Sequence, residues 1–209
     1  MRVLVPFEAT APKTRLGGVL DGDERAAFAR AALRDVCSAV EAAGHVPEVV
    51  ATESVAVDAT VTVDERPLSP AINDRLGGER TGVVAADLAL VTPTAVECLV
   101  DAAADADVAI APGRGGGTNA LVVSHPDFRV DFHGVSYRDH RRIAREVGAS
   151  VAVVDSMRLA TDVDVPADLA EVLLHGDGEA AVWLSEAGFE LDAGDGRVGV
   201  SHPTADDTE

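Results

Sequence analysis

The sequence predicts an α/β fold with a mostly parallel mixed sheet and helices on both faces. Three observations predict it. Short runs rich in Val, Ile and Leu alternate with longer, capped helical patterns as far as residue 175. The apolar runs end at polar or glycine-rich loops, as strands of a buried parallel sheet do. Hydrophobic residues make up 47% of 209 positions, enough for a sizeable core.

The first run, Arg2 to Phe7, reads as a buried strand, with Pro6 near its end where strands tolerate it. A helix follows in "DGDERAAFARAALRDVCSAVEAAG". Asp21 caps it, Glu24 gives the capping-box spacing, and Gly44 ends it. Phe28, Ala32, Val36 and Val40 recur at helical spacing. "VPEVVAT" and "ATVTVDE" read as short strands, and "SPAINDRLG" as a short helix. "TGVVAADLALVTP" is an apolar run that meets Asp87. Thr92 then caps a helix with Pro93 in its first position. "ADVAIAP" is a strand entering a glycine loop and "TNALVVS" leads out of it. Ser136 is the expected cap of "YRDHRRIAREVG". "ASVAVVDS" is a strand, and "DVPADLAEVLLHG" a helix with Pro166 near its start. Residues 1–176 form the domain. Residues 177–209 read as a C-terminal appendage and acidic tail of that domain. No internal repeat is visible.

Charge excludes whole classes of partner. With 17 basic and 36 acidic residues the net charge is −19, a field that repels nucleic acid and anionic membranes. The carboxylates are dispersed, and 16 of the 17 basic residues are arginine. Dispersed acids with scarce lysine fit a protein adapted to high salt, where screening lengths fall to a few ångströms. No apolar run approaches the roughly 20 residues of a membrane helix, and the N-terminus lacks the pattern of a signal peptide. Cys37 and Cys98 stand alone in helical patterns, so both are expected in the core of a cytoplasmic protein.

In an open α/β sheet, ligands bind beyond the carboxyl ends of the strands. The polar residues predicted there are Lys13 and Arg15, Asp87, the glycine loop, and Asp162 with Asp164. Lys13 is the only lysine in the chain, and it follows the first strand, where a point charge suits phosphate. The loop "PGRGGGTN" exposes bare backbone, whose N–H groups suit an anion, although taken alone a glycine triplet is more often a plain hairpin. Three carboxylates among phosphate-binding cations suggest Mg²⁺, although Asp87 alone is also a turn residue and Asp162 or Asp164 a helix cap. No G-x-S-x-G motif and no zinc-ligand spacing of histidines occur. "RDHRR" reads as a solvated helix face. The set therefore points to phosphoryl or nucleotidyl transfer, which needs positioning and charge neutralisation more than a nucleophilic side chain.

"PKTRL", "AADLALVTP", "APGRGGGTNALVV", "FHGVSYRDH" and "LATDVDVPADL" occur in the order and spacing of one family. Over about residues 1–175 the chain resembles the 2-phospho-L-lactate guanylyltransferases of coenzyme F-420 biosynthesis, in a version suited to a halophilic archaeon. The resemblance implies the glycosyltransferase-A-like, nucleotide-diphospho-sugar transferase fold and a homodimer. It implies GMP transfer from GTP to 2-phospho-L-lactate, with phosphoenolpyruvate the acceptor in bacterial relatives. Lys13, Arg15 and Asp87 are the expected catalytic residues, and the resemblance makes Asp87, Asp162 and Asp164 the ligands of Mg²⁺. Gly115, Gly116, Gly117, Thr118, Asn119, Gly134 and Ser136 are the expected substrate-binding residues, and the resemblance places Thr118 and Ser136 on the acceptor. His133 stands where the family often has glycine, which bears on the acceptor pocket. The rival readings are transfer from a nucleotide-sugar donor and a non-catalytic nucleotide-binding regulatory domain.

Overall fold

Val3, Leu4 and Val5 are all buried, so β1 (Arg2–Phe7) must be covered on both faces. A computed structural model describes residues 1–77, 79–194, 196 and 198–202 and shows how this is done. After β1, a 3-10 turn (Thr14–Leu16) leads to α1 (Gly22–Ala42). There follow β2 (Val46–Ala51), β3 (Thr60–Val63), α2 (Leu68–Asn73), β4 (Thr81–Val84) and α3 (Pro93–Ala102). Next come β5 (Val108–Pro112), β6 (Thr118–Val123), α4 (Ser136–Val147), β7 (Val151–Val153) and α5 (Met157–Ala160). The chain ends with α6 (Pro166–His175), α7 (Glu179–Glu186), β8 (Glu190–Asp192) and β9 (Gly199–Ser201).

Seven strands form one sheet in the order β3-β2-β1-β4-β6-β5-β7. All pairings are parallel except those of β6, which runs antiparallel to β4 and β5. The glycine loop is therefore a hairpin, and it also carries Thr118 and Asn119 to the edge where the parallel strands end. Strand alternation divides the core. Val3, Val5, Ala109, Ala111, Ala120 and Val122 pack on one face with Leu33 and Val36 of α1 and Val96 of α3. Leu4, Ile110, Leu121 and Val123 pack on the other with Ile72, Phe128 and Ala144. The mostly parallel mixed sheet with helices on both faces is thus the observed fold.

The caps of α1 and α3 are as expected. Asp21 accepts the Glu24 N–H while Glu24 accepts that of Asp21, and Thr92 accepts the Ala95 N–H. Ser136 is not a cap. Val135 holds that position, and Ser136 is the first residue of α4. Cys37 is buried, whereas Cys98 is exposed, because it lies on the solvent side of α3. Beyond residue 176, α7 packs Ala180 and Leu184 against Leu16, Phe28 and Leu169, and Phe189 joins them. The tail over 203–209 lies outside the described residues. Among the described residues no helix is long and apolar enough to cross a membrane.

Candidate active site

A cavity of about 780 Å³ opens beyond the carboxyl ends of β1, β2, β3 and β4, and Phe7, Glu8, Lys13, Arg66, Asp87 and Asp164 are among its walls. This is the size range of small-molecule and cofactor sites. Lys13 has φ +56°, the only positive value of a non-glycine residue among those described. Such a conformation is uncommon for a long side chain and persists where the surroundings fix it. Its ammonium is 2.7 Å from Asp87 Oδ2 and 3.3 Å from Asp164 Oδ1. Arg15 reaches the other oxygen of Asp164 at 2.9 Å. Lys13 is the inner cation, with its side chain 10% exposed, and Arg15 the rim cation, at 73%.

Asp87 follows β4, and its carbonyl accepts the Val163 N–H at 3.3 Å, which ties the two aspartate loops together. The Asp162 Oδ1 accepts from the Asn119 amide at 3.0 Å, and the same amide donates to the Leu159 carbonyl at 3.0 Å. Burial, with the neighbouring charges of Asp87 and Asp164, pushes the Asp162 carboxyl above its ordinary range, against the Asn119 hydrogen bond. Asp164 is not the cap of α6. Val165 holds that position, and Asp168, in the first turn, accepts the N–H groups of Asp164 and Val165 at 3.0 and 2.9 Å. Asp164 is thereby free to face the cations.

The glycine loop is less open to an anion than its composition suggests. The N–H groups of Gly113, Gly116 and Arg114 donate to the carbonyls of Gly117, Gly113 and Ala160. The Thr118 N–H donates to Ser136 Oγ at 2.9 Å. Only those of Gly115 and Gly117 lack a protein acceptor among the described residues. Gly116 supplies the left-handed turn, at φ +91°. At Gly113 the demand is space: a Cβ there would overlap the Asn119 side-chain amide. Gly113→Ala should therefore cost roughly 1–3 kcal/mol, a melting temperature lower by about 2–4 °C per kcal/mol in a chain of this size. Differential scanning calorimetry reads it. Gly134, on the facing loop, has open space at its Cβ position.

Thr118 and Ser136 do come together, but not as free surface hydroxyls: they are only 8% and 2% exposed. Ser136 Oγ serves the Thr118 N–H, and Thr118 Oγ1 lies 2.9 Å from Nδ1 of His140. Asn119 holds Asp162 rather than facing the cavity. His140 is fully buried, so "RDHRR" is not uniformly a solvated face. The signal for it was the spacing of Ser136, His140 and Ala144 at i, i+4 and i+8, the buried stripe of α4. His133 is exposed and 3.2 Å from Asp139.

Burial pushes His140 down to about 4, against the opposing pull of Asp131 and Asp139 and with a small push from His133. Between about 4 and the unfolded value near 6.5 the unfolded chain binds the extra proton. The stability from neutral His140 is complete above that window and is lost as pH falls through it, by about 3 kcal/mol. Denaturant unfolding of wild type and His140→Gln between pH 4 and pH 7 should show the wild type losing its excess stability over that range.

The comparisons fit this geometry. Residues 1–200 match the family described as "Guanylyl transferase CofC like". The chain is 60% identical over 205 residues to the 2-phospho-L-lactate guanylyltransferase of Halomicrobium mukohataei, covering 97% of this chain and 100% of that one. It is 60% identical over 200 residues to that of Natronomonas pharaonis, with 96% and 98% covered. It is 59% identical over 201 residues to that of Haloferax volcanii, with 95% and 97% covered. A Desulfovibrio desulfuricans structure assigned as a nucleotide-diphospho-sugar transferase superposes with a TM-score of 0.73 at 17% identity, covering 88% of this chain and 94% of that one. A nucleotidyl transferase from Methanothermobacter thermautotroptrophicus gives 0.57 at 16% identity, with 84% and 97% covered. These two likenesses speak to the fold, which is that of the nucleotide-diphospho-sugar transferases. With a family match over nearly its whole length, the chain belongs to the 2-phospho-L-lactate guanylyltransferase family, a family of nucleotidyltransferase enzymes.

Proposed function

We propose that this enzyme transfers GMP from GTP to the phosphate of 2-phospho-L-lactate, giving lactyl-2-diphospho-5′-guanosine and pyrophosphate for coenzyme F-420 biosynthesis. One observation carries the division of the site. The cavity with Lys13, Asp87 and Asp164 adjoins, through Asp162 and Asn119, the strand start that bears Thr118. The larger cavity suits the nucleotide, and the glycine-loop side suits the small acid.

An oxygen of the acceptor phosphate attacks the α-phosphorus of GTP. The bond from that phosphorus to the oxygen of the β-phosphate breaks, and pyrophosphate leaves with that electron pair. A phosphate monoester is already largely ionised near pH 7, so no side chain need remove a proton. This agrees with a site built of cations and carboxylates. Lys13 and Arg15 supply positive charge where the triphosphate and the leaving group carry negative charge.

The donor chemistry of Asp87, Asp162 and Asp164 fits a hard divalent cation. Among the described residues, no three acidic, histidine or cysteine side chains are arranged to hold an ion by themselves. Mg²⁺ takes one or two carboxylates and completes its shell with phosphate oxygens and water. When bound it neutralises phosphate charge. Here Asn119 fixes the Asp162 carboxylate, and Lys13 spans Asp87 and Asp164.

The same reading includes a homodimer in a salt-rich cytoplasm. The net charge of −19 with a single lysine supports the salt adaptation. Incubation with GTP, Mg²⁺ and 2-phospho-L-lactate or phosphoenolpyruvate in high salt, with mass identification of the product, tests the function. A nucleotidyl product from neither acid, with GTP intact, overturns it.

A further inference from the structure

His140 makes two hydrogen bonds that together fix its proton. Nε2 is 2.9 Å from the backbone nitrogen of Asp131, and a backbone N–H can only donate. Nε2 therefore carries the lone pair, and in the neutral ring the proton sits on Nδ1. That N–H donates to Thr118 Oγ1 at 2.9 Å. The Thr118 hydroxyl is thereby cast as an acceptor on its protein side. The same holds one residue away in space, where Ser136 Oγ accepts the Thr118 N–H. Two neighbouring hydroxyls thus each have an oxygen occupied by an internal donor and a hydrogen with no protein acceptor among the described residues. Gly117 adds an N–H without a protein acceptor. Donors left over in a nearly buried place suit an anion. Phe128 and Phe132 close on the imidazole, with ring centroids 6.0 and 5.2 Å away, so the ring has little room to flip.

We propose that His140 is a positioning residue: its Nδ1–H holds the Thr118 hydroxyl so that the hydroxyl hydrogen points to the phosphorylated acid acceptor. This rests on the functional reading above for the identity of the acceptor. His140 itself does not touch substrate.

Two substitutions separate the two hydrogen bonds. The amide oxygen of Gln falls near the place of Nε2, keeping the acceptor for Asp131 and losing the donor to Thr118. The amide nitrogen of Asn falls near Nδ1, keeping the donor to Thr118 and losing the acceptor for Asp131. His140→Gln should raise the acceptor KM about tenfold with the KM for GTP unchanged, because the Thr118 hydroxyl, no longer held, loses its hydrogen bond to the charged acceptor. His140→Asn should rescue the acceptor KM although it melts lower. In a Thr118→Val background, His140→Gln should add nothing further. Equal acceptor KM values for the Gln and Asn variants would overturn the assignment. Should both variants fail to fold, ¹⁵N NMR of the wild-type imidazole decides: an Nδ1–H tautomer sustains the proposal and an Nε2–H tautomer overturns it. If the wild type neither binds nor turns over 2-phospho-L-lactate, the functional reading falls first, and the proposal, which needs that acceptor, falls with it.

Discussion

Asp87→Asn should lower kcat/KM roughly a thousandfold or more, a loss of about 4 kcal/mol of transition-state stabilisation, while the fold stays intact. The substitution is nearly isosteric, so cavity volume hardly changes. It removes one of the two neighbouring charges that push the Asp162 carboxyl up, and Lys13 keeps Asp164 as a partner at 3.3 Å. These terms oppose each other in stability, so melting should move little. Catalysis has no such compensation, since an amide neither neutralises Lys13 nor ligates a divalent cation as a carboxylate does. Asp164→Asn should cost less. Its side chain is 40% exposed, against 27% for Asp87, and part of its charge answers Arg15 at the rim. Steady-state kinetics over a Mg²⁺ titration, run beside thermal melts, checks both variants. Near-normal turnover by Asp87→Asn would remove Asp87 from the machinery.

What the sequence made legible was local. The box of Asp21 and Glu24 shows because its two hydrogen bonds span three residues. Lys13 shows because it is the only lysine. The paired strands show because their residues are apolar on both alternations. What failed was decided at long range. Ser136 has the composition of a cap, but the Thr118 N–H, 18 residues away in sequence, takes its oxygen. Asp164 likewise looks like a cap for α6, but Val165 holds that position and Asp168, three residues on, accepts its N–H. Asn119 is expected at the substrate, yet its amide serves Asp162, 43 positions on. His140 sits among arginines that face water, and only the helical period separates it from them. The glycine loop shows both outcomes. Hairpin and ligand-site readings competed as alternatives, and the fold supports the hairpin while placing its ends at the ligand edge.

Lys13→Met should reduce kcat/KM by two to three orders of magnitude, about 3–4 kcal/mol. Methionine keeps most of the stem and removes the charge. The ammonium is the inner cation of the cavity, and Arg15, mostly in solvent, is poorly placed to replace it. Lys13→Arg should recover part of the loss only. A planar fork does not reproduce a point charge held between two carboxylates, and the residue must still adopt φ +56°. Stability should move in the same direction but less. Loss of Lys13 leaves Asp87 and Asp164 without their shared ammonium, with Arg15 still on Asp164. The partial exposure of Asp87 and Asp164 limits the cost to about 1–2 kcal/mol. Added Mg²⁺ should then raise the melting temperature of Lys13→Met more than that of wild type, because the ion no longer competes with an ammonium for the same oxygens. This second readout does not depend on turnover. A variant with kcat/KM within threefold of wild type, or one whose melting responds to Mg²⁺ as wild type does, would show that Lys13 is only a bystander to the aspartates.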